Sequence, residues 1–244
     1  MQQGAVVAGI VLYQKALMRG TSYIEMLSED EGALKGVVSL DKKKLSISGS
    51  IEGRFCRGER TSRMYRDLPF WDISDVGDGL YAELLHAPMP LLIWKSALDV
   101  MRVIREPASP KEIYNILLRV REDARQSADS LYWRASYVAL ELYVLQSLGF
   151  GLNIHSCAVT NEKENLFYIS PKTGAAVVEK VGAPYADKLL PYPDLFAKII
   201  RKNVCSASDS EFFQALDVTG FFLKRYVKRS LVREQIFVWR EMNL

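Results

Sequence analysis

The chain has 244 residues, of which 49% are hydrophobic and 25% charged, a composition typical of a globular protein with ample material for a core. Its three cysteines are widely spaced without a CxxC pair, and its longest apolar run, APMPLLIW, is far shorter than a membrane span. The N-terminal sequence lacks the basic and long apolar regions of a signal peptide, so we expect a protein of the reducing cytoplasm.

Residues 5–73 are expected to form β-structure. The runs VVAGIVLYQ, SYIEMLS and LSISGSIEGRFC are rich in β-branched and aromatic residues, and turn signals separate them. Four or five short strands within about 70 residues predict a small closed barrel or sandwich, and the OB barrel is one natural candidate. Gly36, Gly49 and Gly53 lie in strand-like runs, where we expect them to mark the bulges that bend such a barrel.

Helical periodicity begins near residue 74. Ser74 and Asp75 are expected to cap the first helix, and Ser109 with Glu112 predicts a capping box for a later one. The strongest helical pattern, DSLYWRASYVALELYVLQSLG, ends at Gly149, which occupies the position of a C-cap glycine. We therefore expect a mainly helical body after the barrel.

The last helix is expected to begin near Ser208 and Asp209 and to continue through the basic run that follows. The predicted fold is α+β, with an N-terminal OB-like barrel domain and a helical domain. We place the barrel domain at residues 1–73 and the helical domain at 74–244, with an inserted β-hairpin at 152–180.

The hairpin sequence LGFGLNIHSCAVTNEKENLFYISPKTGAAVV has the layout of a zinc ribbon. A structural zinc site normally uses four cysteine or histidine ligands in two spaced pairs. This segment supplies only His155 and Cys157, with Glu162 and Glu164 as weak oxygen donors. We therefore favour a hairpin with a buried cysteine at its base over a metal site, and we expect no cofactor.

Motifs for catalysis are absent from the sequence. It contains no GxSxG elbow, no P-loop, no GxGxxG after a strand and no HExxH. The acidic runs SEDEG at 28–32 and REDA at 121–124 leave a metal-dependent nuclease or phosphotransferase open, although such runs are more often a solvated turn and a helix face. We expect a protein that is not an enzyme.

Basic residues concentrate between Lys35 and Arg66, where nine of them stand against three acidic residues, a local net charge of +6. Phe55 and Tyr65 interleave with the arginines, and this mixture suits single-stranded DNA, because cations neutralise phosphates while ring faces stack on bases. A solvated barrel rim with core aromatics explains the composition equally well. The predicted DNA-binding residues are Lys35, Lys42, Lys43, Lys44, Arg54, Arg57, Arg60, Arg63 and Arg66.

A second basic run, FFLKRYVKRSLVRE, lies near the C-terminus. Helical spacing places Arg225, Lys228 or Arg229, and Arg233 along one predicted helix face. This face would extend a DNA surface, bind an acidic peptide or only solubilise the helix, and the last interpretation is slightly favoured.

Two blocks of the sequence resemble the RecO family of bacterial DNA repair proteins. The first is GIVLYQKALMRGTSYIEMLSEDEGALKGVVSL, and the second is ALELYVLQSLGFGLNIHSCAVTN, followed by LFYISPKTGAAVV and GAPYADKLLPYP, which is similar to alphaproteobacterial members. Together they cover residues 9–45 and 138–193. Some members hold zinc with four cysteines in the hairpin. Cys157 stands at the first of those places, but Thr160 and Asn161 lie where its partner would be, so the resemblance implies a hairpin without the metal.

The resemblance further implies an OB-fold, a helical body and no enzymatic activity. It implies a cytoplasmic, nucleoid-associated protein that binds single- and double-stranded DNA, anneals complementary strands and contacts the acidic tail of single-strand binding protein. It also implies work with RecR, and in many bacteria RecF, to load RecA. The candidates for the tail site are Arg119, Arg121 and Arg125, and the cluster Lys224, Arg225, Lys228 and Arg229. A protein-interaction scaffold with incidental DNA binding is the alternative.

Overall fold

The computed structural model describes residues 6–18, 20–39, 50–126, 132–201 and 206–242. The chain divides into two compact units, one formed by Met1–Arg125 with Leu231–Leu244 and the other by Gln126–Ser230. The first unit contains the β-barrel together with several helices, and the predicted boundary between residues 73 and 74 stays a prediction. Within the described residues, no helix is long and apolar enough to cross a membrane.

Five strands close a barrel in the first unit, in the order β1-β2-β3-β5-β4. Neighbouring strands are antiparallel except β3 and β5, which pair in parallel. The strands are β1 (Val6–Ala16), β2 (Thr21–Ser28), β3 (Gly32–Ser39), β4 (Arg54–Tyr65) and β5 (Leu68–Gly79). This closed, OB-like barrel followed by helices confirms the predicted α+β fold class.

The barrel interior is filled by apolar side chains from all five strands, and Trp71 is the largest of them. It is 4% exposed, and its indole N–H donates to the carbonyl of Lys35 at 3.4 Å. Gly36 leaves the space that this ring occupies, because a Cβ there would overlap the indole and lie 2.7 Å from the carbonyl oxygen of Pro69. The same core contains Val7, Val11, Ile24, Met26, Val38, Ile51, Cys56 and Ile73.

The predicted role of the barrel glycines is wrong at Gly36, since β2 and β3 pair there in continuous register. The bulges lie instead between Val11 and Tyr13 in β1 and at three points along β4. Gly53 precedes β4 with a positive φ of 74°. Gly49 is outside the described residues.

Strand β5 continues to Gly79, so the predicted helix start at Ser74 and Asp75 is wrong. Asp75 instead pairs with Arg57 of β4. This strand pairing satisfies the backbone groups that a helix cap would otherwise satisfy. The helices of this unit are α1 (Leu80–Glu83), α2 (Pro88–Met101), α3 (Pro110–Gln126) and α8 (Glu234–Met242). The predicted cap of α3 is present, since the Ser109 hydroxyl accepts from the N–H of Glu112 at 3.3 Å.

Arg102 directly follows α2 and links that helix to the barrel. Its Nε donates to Glu25 Oε2 at 2.7 Å, and its guanidinium carbon lies 3.7 Å from the ring centroid of Tyr13. The hydroxyl of Tyr23 donates to Glu25 Oε1 at 2.8 Å, and Arg102 also pairs with Asp99 at 3.3 Å. Glu25 is therefore the acceptor that joins strand β2 to the end of α2.

This arrangement predicts a pH-dependent contribution to stability. Burial acts to raise the pKa of Glu25, but hydrogen bonds from Arg102 and Tyr23 hold it below the ordinary 4.5. Because the folded-state pKa is lowered, the stabilisation is complete above the ordinary value and is lost as pH falls through the folded value. We expect Glu25→Gln to lower the thermal unfolding midpoint at pH 7, and the difference from the native chain to shrink below about pH 4. A difference that stays constant down to pH 3 would contradict this assignment.

The second unit contains helices around a three-stranded sheet of order β7-β6-β8. Gly149 follows α4 with a φ of 81°, as predicted for a C-cap glycine, and strands β6 and β7 form the predicted hairpin. The elements are α4 (Tyr132–Ser147), β6 (Leu166–Ile169), β7 (Ala176–Val178), α5 (Glu179–Gly182), a 3-10 helix (Ala183–Lys188), β8 (Leu190–Pro191), α6 (Asp194–Ile200) and α7 (Asp209–Tyr226).

Helix α7 begins at the predicted Ser208 cap, where Ser208 and Glu211 form a full capping box. It ends at Tyr226, so the prediction that Arg233 shares a helix face with Arg225 is wrong. Arg233 belongs to the first unit and is 2% exposed. The last hydrogen bond of the helix runs from the N–H of Val227 to the carbonyl of Leu223. Val227 itself has an extended backbone, so the helix does not continue beyond it.

Cys157 is fully buried at the base of the hairpin. Its Sγ lies 3.5 Å from the N–H of Val159, and its carbonyl accepts from the N–H of Asn161, which has a φ of 60°. Burial acts to raise the pKa of the Cys157 thiol, but hydrogen bonds from Thr160 and from backbone amides bring it to about 7. Backbone amides of the loop and the Thr160 hydroxyl therefore stabilise the thiolate form of Cys157.

The residues of the hairpin do not fit a zinc ion. In the part of the chain that the structure describes, no group of three histidine, cysteine, aspartate or glutamate side chains is arranged to hold a metal. The lone thiol of Cys157 and the hydroxyl of Thr160 leave the tetrahedral ligand set that structural zinc requires incomplete. Packing and hydrogen bonds hold this hairpin together.

Candidate nucleic-acid interface

Three of the predicted DNA-binding residues lie on the distal part of the β4–β5 hairpin. Arg60, Arg63 and Arg66 are all exposed. Among the described residues, pairing of β1 with β4 reaches only as far as Glu59, and β3 meets the hairpin only at Phe70 and Trp71. We call residues 60–70 the hairpin tip.

A bulge sets the direction of the side chains on the hairpin tip. Between Arg60 and Met64, β4 advances four residues while β5 advances only two. The Thr61 hydroxyl stabilises the bulge, since it donates to the carbonyl of Phe70 and accepts from the N–H of Arg63, both at 3.2 Å. Because a bulge interrupts the alternation of a strand, it brings the Arg63 guanidinium carbon to 4.6 Å from the ring centroid of Phe70.

The end of the hairpin tip adds exposed apolar surface. Tyr65 is 37% exposed and Met64 is 50% exposed. Arg66 adopts a positive φ of 54° in the turn, and its guanidinium carbon lies 5.8 Å from the ring centroid of Tyr65. The hairpin tip therefore carries three exposed cations and an accessible ring, the residue types that bind phosphates and stack on bases.

The other predicted DNA-binding residues lie elsewhere. Arg54 is half-buried, and its Nε donates to the carbonyl of Gly77 at 2.7 Å. Arg57 lines a cavity beside acidic residues, and Lys35 is exposed on β3 opposite Glu25. Lys42, Lys43 and Lys44 fall outside the described residues.

The first set of candidates for an acidic tail lies on α3. Arg121 is only 8% exposed, and its guanidinium carbon lies 4.7 Å from the ring centroid of Phe55. Arg125 forms two hydrogen bonds of 2.7 Å with Glu83. Arg119 is exposed. The burial of Arg121 leaves little of its charge for a partner, so we do not include it in the proposed tail site.

The second set surrounds the end of α7, where basic and aromatic side chains lie together. Phe150, 41% exposed, stacks on Tyr226 with ring centroids 3.3 Å apart. Phe221 is 39% exposed, and Arg225 reaches over it to donate to the carbonyl of Pro171 at 2.6 Å. Lys224, Lys228 and Arg229 are exposed beside them. We call these residues the aromatic–basic patch.

Phe70 and Met64 are parts of the hairpin tip that the sequence analysis did not select. The signal for them is the three-residue spacing of Arg60, Arg63 and Arg66, which cannot keep one face of a regular strand. Such spacing indicates a bulge, and a bulge redirects a side chain, here that of Arg63 toward Phe70 on the opposite strand.

Comparison with known proteins adds independent information. Residues 100–234 match the family described as Recombination protein O C terminal. A relative named DNA repair protein RecO from Anaplasma marginale (strain Florida) is 47% identical over 209 residues, which cover 84% of this chain and 83% of the relative. A relative of the same name from Ehrlichia chaffeensis is 31% identical over 221 residues, covering 89% and 88%.

A third relative with that name, from a Wolbachia strain of Culex pipiens, is 48% identical over 100 residues, which are 41% of each chain. The similarity is therefore spread over most of the chain in some relatives and concentrated in a shorter stretch in others.

Proposed function

Because the chain belongs to the RecO family of DNA repair proteins, we propose that it acts as a recombination mediator. In this role it binds single- and double-stranded DNA, anneals complementary strands and helps to load RecA onto DNA coated with single-strand binding protein. The family match and these relatives confirm the family resemblance of the two sequence blocks. The mediator works without catalysis, in the cytoplasm at the nucleoid.

The hairpin tip is the observation that supports DNA binding most directly. Arg60, Arg63 and Arg66 are exposed and bring positive charge to the hairpin tip. Annealing requires that the repulsion between two phosphate backbones be neutralised while the base edges stay accessible. Arginines on the hairpin tip neutralise phosphates, and the exposed ring of Tyr65 offers a stacking surface for an unpaired base.

The aromatic–basic patch supports contact with the acidic tail of single-strand binding protein. Exposed rings at Phe150 and Phe221 offer apolar area, and the adjacent cations complement carboxylates. Such a pair of features suits a short acidic peptide with an apolar end, because each part of the peptide meets its own complement. RecR, and RecF where it is present, remain expected partners by family membership.

The function is tested by annealing of two complementary oligonucleotides, naked and coated with the cognate single-strand binding protein, across a salt series. We expect the protein to accelerate annealing on both substrates, with the acceleration falling as salt rises, because phosphate neutralisation releases counterions. Acceleration on neither substrate at any salt concentration would contradict the mediator role and favour the interaction scaffold.

A further inference from the structure

A cavity of about 310 Å³ lies at one end of the barrel, and none of its lining residues belongs to the hairpin tip. Its lining comes from residues 6–8 at the start of β1, the turn between β2 and β3, Arg57 of β4 and Tyr114 of α3. The turn contributes Glu29, Asp30 and Glu31. Acidic side chains thus dominate a concave site on a protein whose proposed DNA surface is basic.

The cavity runs along a strand edge that has no partner in the described chain. Residues 6–8 of β1 pair with β4 on one side, at Glu59, Gly58 and Arg57. On the other side, pairing of β1 with β2 begins only at Gly9, opposite Ser28. Backbone groups at such an edge are available to an added strand.

Tyr114 provides a second feature directed toward a ligand. Its side chain is 8% exposed, yet it lines the cavity, and its hydroxyl forms no hydrogen bond with any residue that the structure describes. Burial raises the pKa of this hydroxyl, and the Glu29 carboxylate adds to the rise. The hydroxyl therefore stays protonated and neutral, able both to donate and to accept a hydrogen bond.

The charges of the site select the class of ligand. The lining contains three carboxylates and one cation, Arg57. Lys111 pairs with Glu29 at 3.6 Å on the exposed rim, and the charge of Arg121 also acts on Tyr114. In the described residues, no group of three such side chains is arranged to hold a metal. Nucleic acid is disfavoured because its phosphates would meet like charge.

We propose that this cavity binds an extended basic peptide of a partner protein. The peptide adds a short strand along residues 6–8, and a lysine or arginine side chain lies against Glu29 and Glu31, with its backbone or cation bonded to the Tyr114 hydroxyl. The site goes beyond the proposed DNA function, and because it shares no residue with the hairpin tip, the protein can hold DNA and a basic partner together.

The test measures binding of a fluorescein-labelled eight-residue peptide of alternating valine and arginine to the full chain. Fluorescence anisotropy reports the affinity. The control peptide carries citrulline in place of arginine, which keeps the shape and removes the charge. We expect the arginine peptide to bind about tenfold more tightly. The double variant Glu29→Gln with Glu31→Gln should lose that preference, and Tyr114→Phe should weaken binding of the arginine peptide.

The controls separate this inference from the DNA function. Lys163→Ala, on an exposed loop of the other unit, should bind the peptide as the native chain does. Both cavity variants, the double glutamine variant and Tyr114→Phe, should retain native affinity for a single-stranded oligonucleotide, which also shows that they fold. Equal binding of the two peptides, or an arginine preference that survives the double glutamine variant, would overturn the proposal. Loss of peptide binding in the presence of single-stranded DNA would contradict simultaneous occupancy.

Discussion

Replacing Arg60, Arg63 and Arg66 together with alanine is expected to lower the affinity for single-stranded DNA by about 100-fold at about 0.1 M salt. Each arginine that neutralises a phosphate of a single strand releases about 0.7 counterion, so three arginines account for a change of about 2 in the slope of log K against log salt. The affinities of the variant and the native chain should therefore converge as the salt concentration approaches about 1 M. Fluorescence anisotropy with a labelled oligonucleotide across a salt series measures both quantities.

A matched control removes the same charge elsewhere. Arg105, Lys163 and Lys188 are exposed and lie away from the hairpin tip in the sequence and in the strand pairing. Their triple alanine variant has the same net charge as the tip variant. If both variants lose affinity to the same extent, the effect reflects net charge, and the hairpin tip is not the DNA site.

Trp71→Ala is expected to have the largest effect on stability, with a loss of about 3–5 kcal/mol in the free energy of unfolding. The ring is 4% exposed and fills the barrel interior against Gly36. Its removal leaves a cavity that the closed strands cannot collapse into, and it also removes the indole bond to the carbonyl of Lys35. Chemical denaturation of the native and variant chains measures the loss.

The complementary change, Gly36→Val, should also destabilise the barrel, because the new side chain would overlap the indole of Trp71 and approach the carbonyl of Pro69. Met64→Ala is the control, since Met64 is 50% exposed on the hairpin tip and should change stability by less than about 0.5 kcal/mol. A Trp71→Ala chain that unfolds at the native denaturant concentration would contradict the packing described for the barrel.

Much of this architecture can be predicted from local sequence. The caps at Ser109, Ser208 and Gly149 depend on side-chain and backbone preferences within a few residues, and all three are present in the structure. The barrel strands follow from β-branched and aromatic runs, and so does the hairpin around Cys157. Local preferences decided these elements because no long-range contact opposed them.

Other features depend on partners far away in the chain. Ser74 and Asp75 have the residue types of a helix cap, but pairing of β5 with β4 keeps them in a strand. Arg121 has the charge of a surface residue, yet packing of α3 places it against Phe55. The bulge that directs Arg63 toward Phe70 depends on the register between two strands, which composition does not encode.

We propose that the hairpin tip performs the annealing expected of a recombination mediator. The most direct measurement is the rate at which the tip variant anneals complementary oligonucleotides coated with single-strand binding protein, compared with the rate of the charge-matched control. We expect the control to anneal at nearly the native rate and the tip variant to approach the rate without protein. Native annealing by the tip variant would contradict the claim and would move the DNA site to another part of the chain.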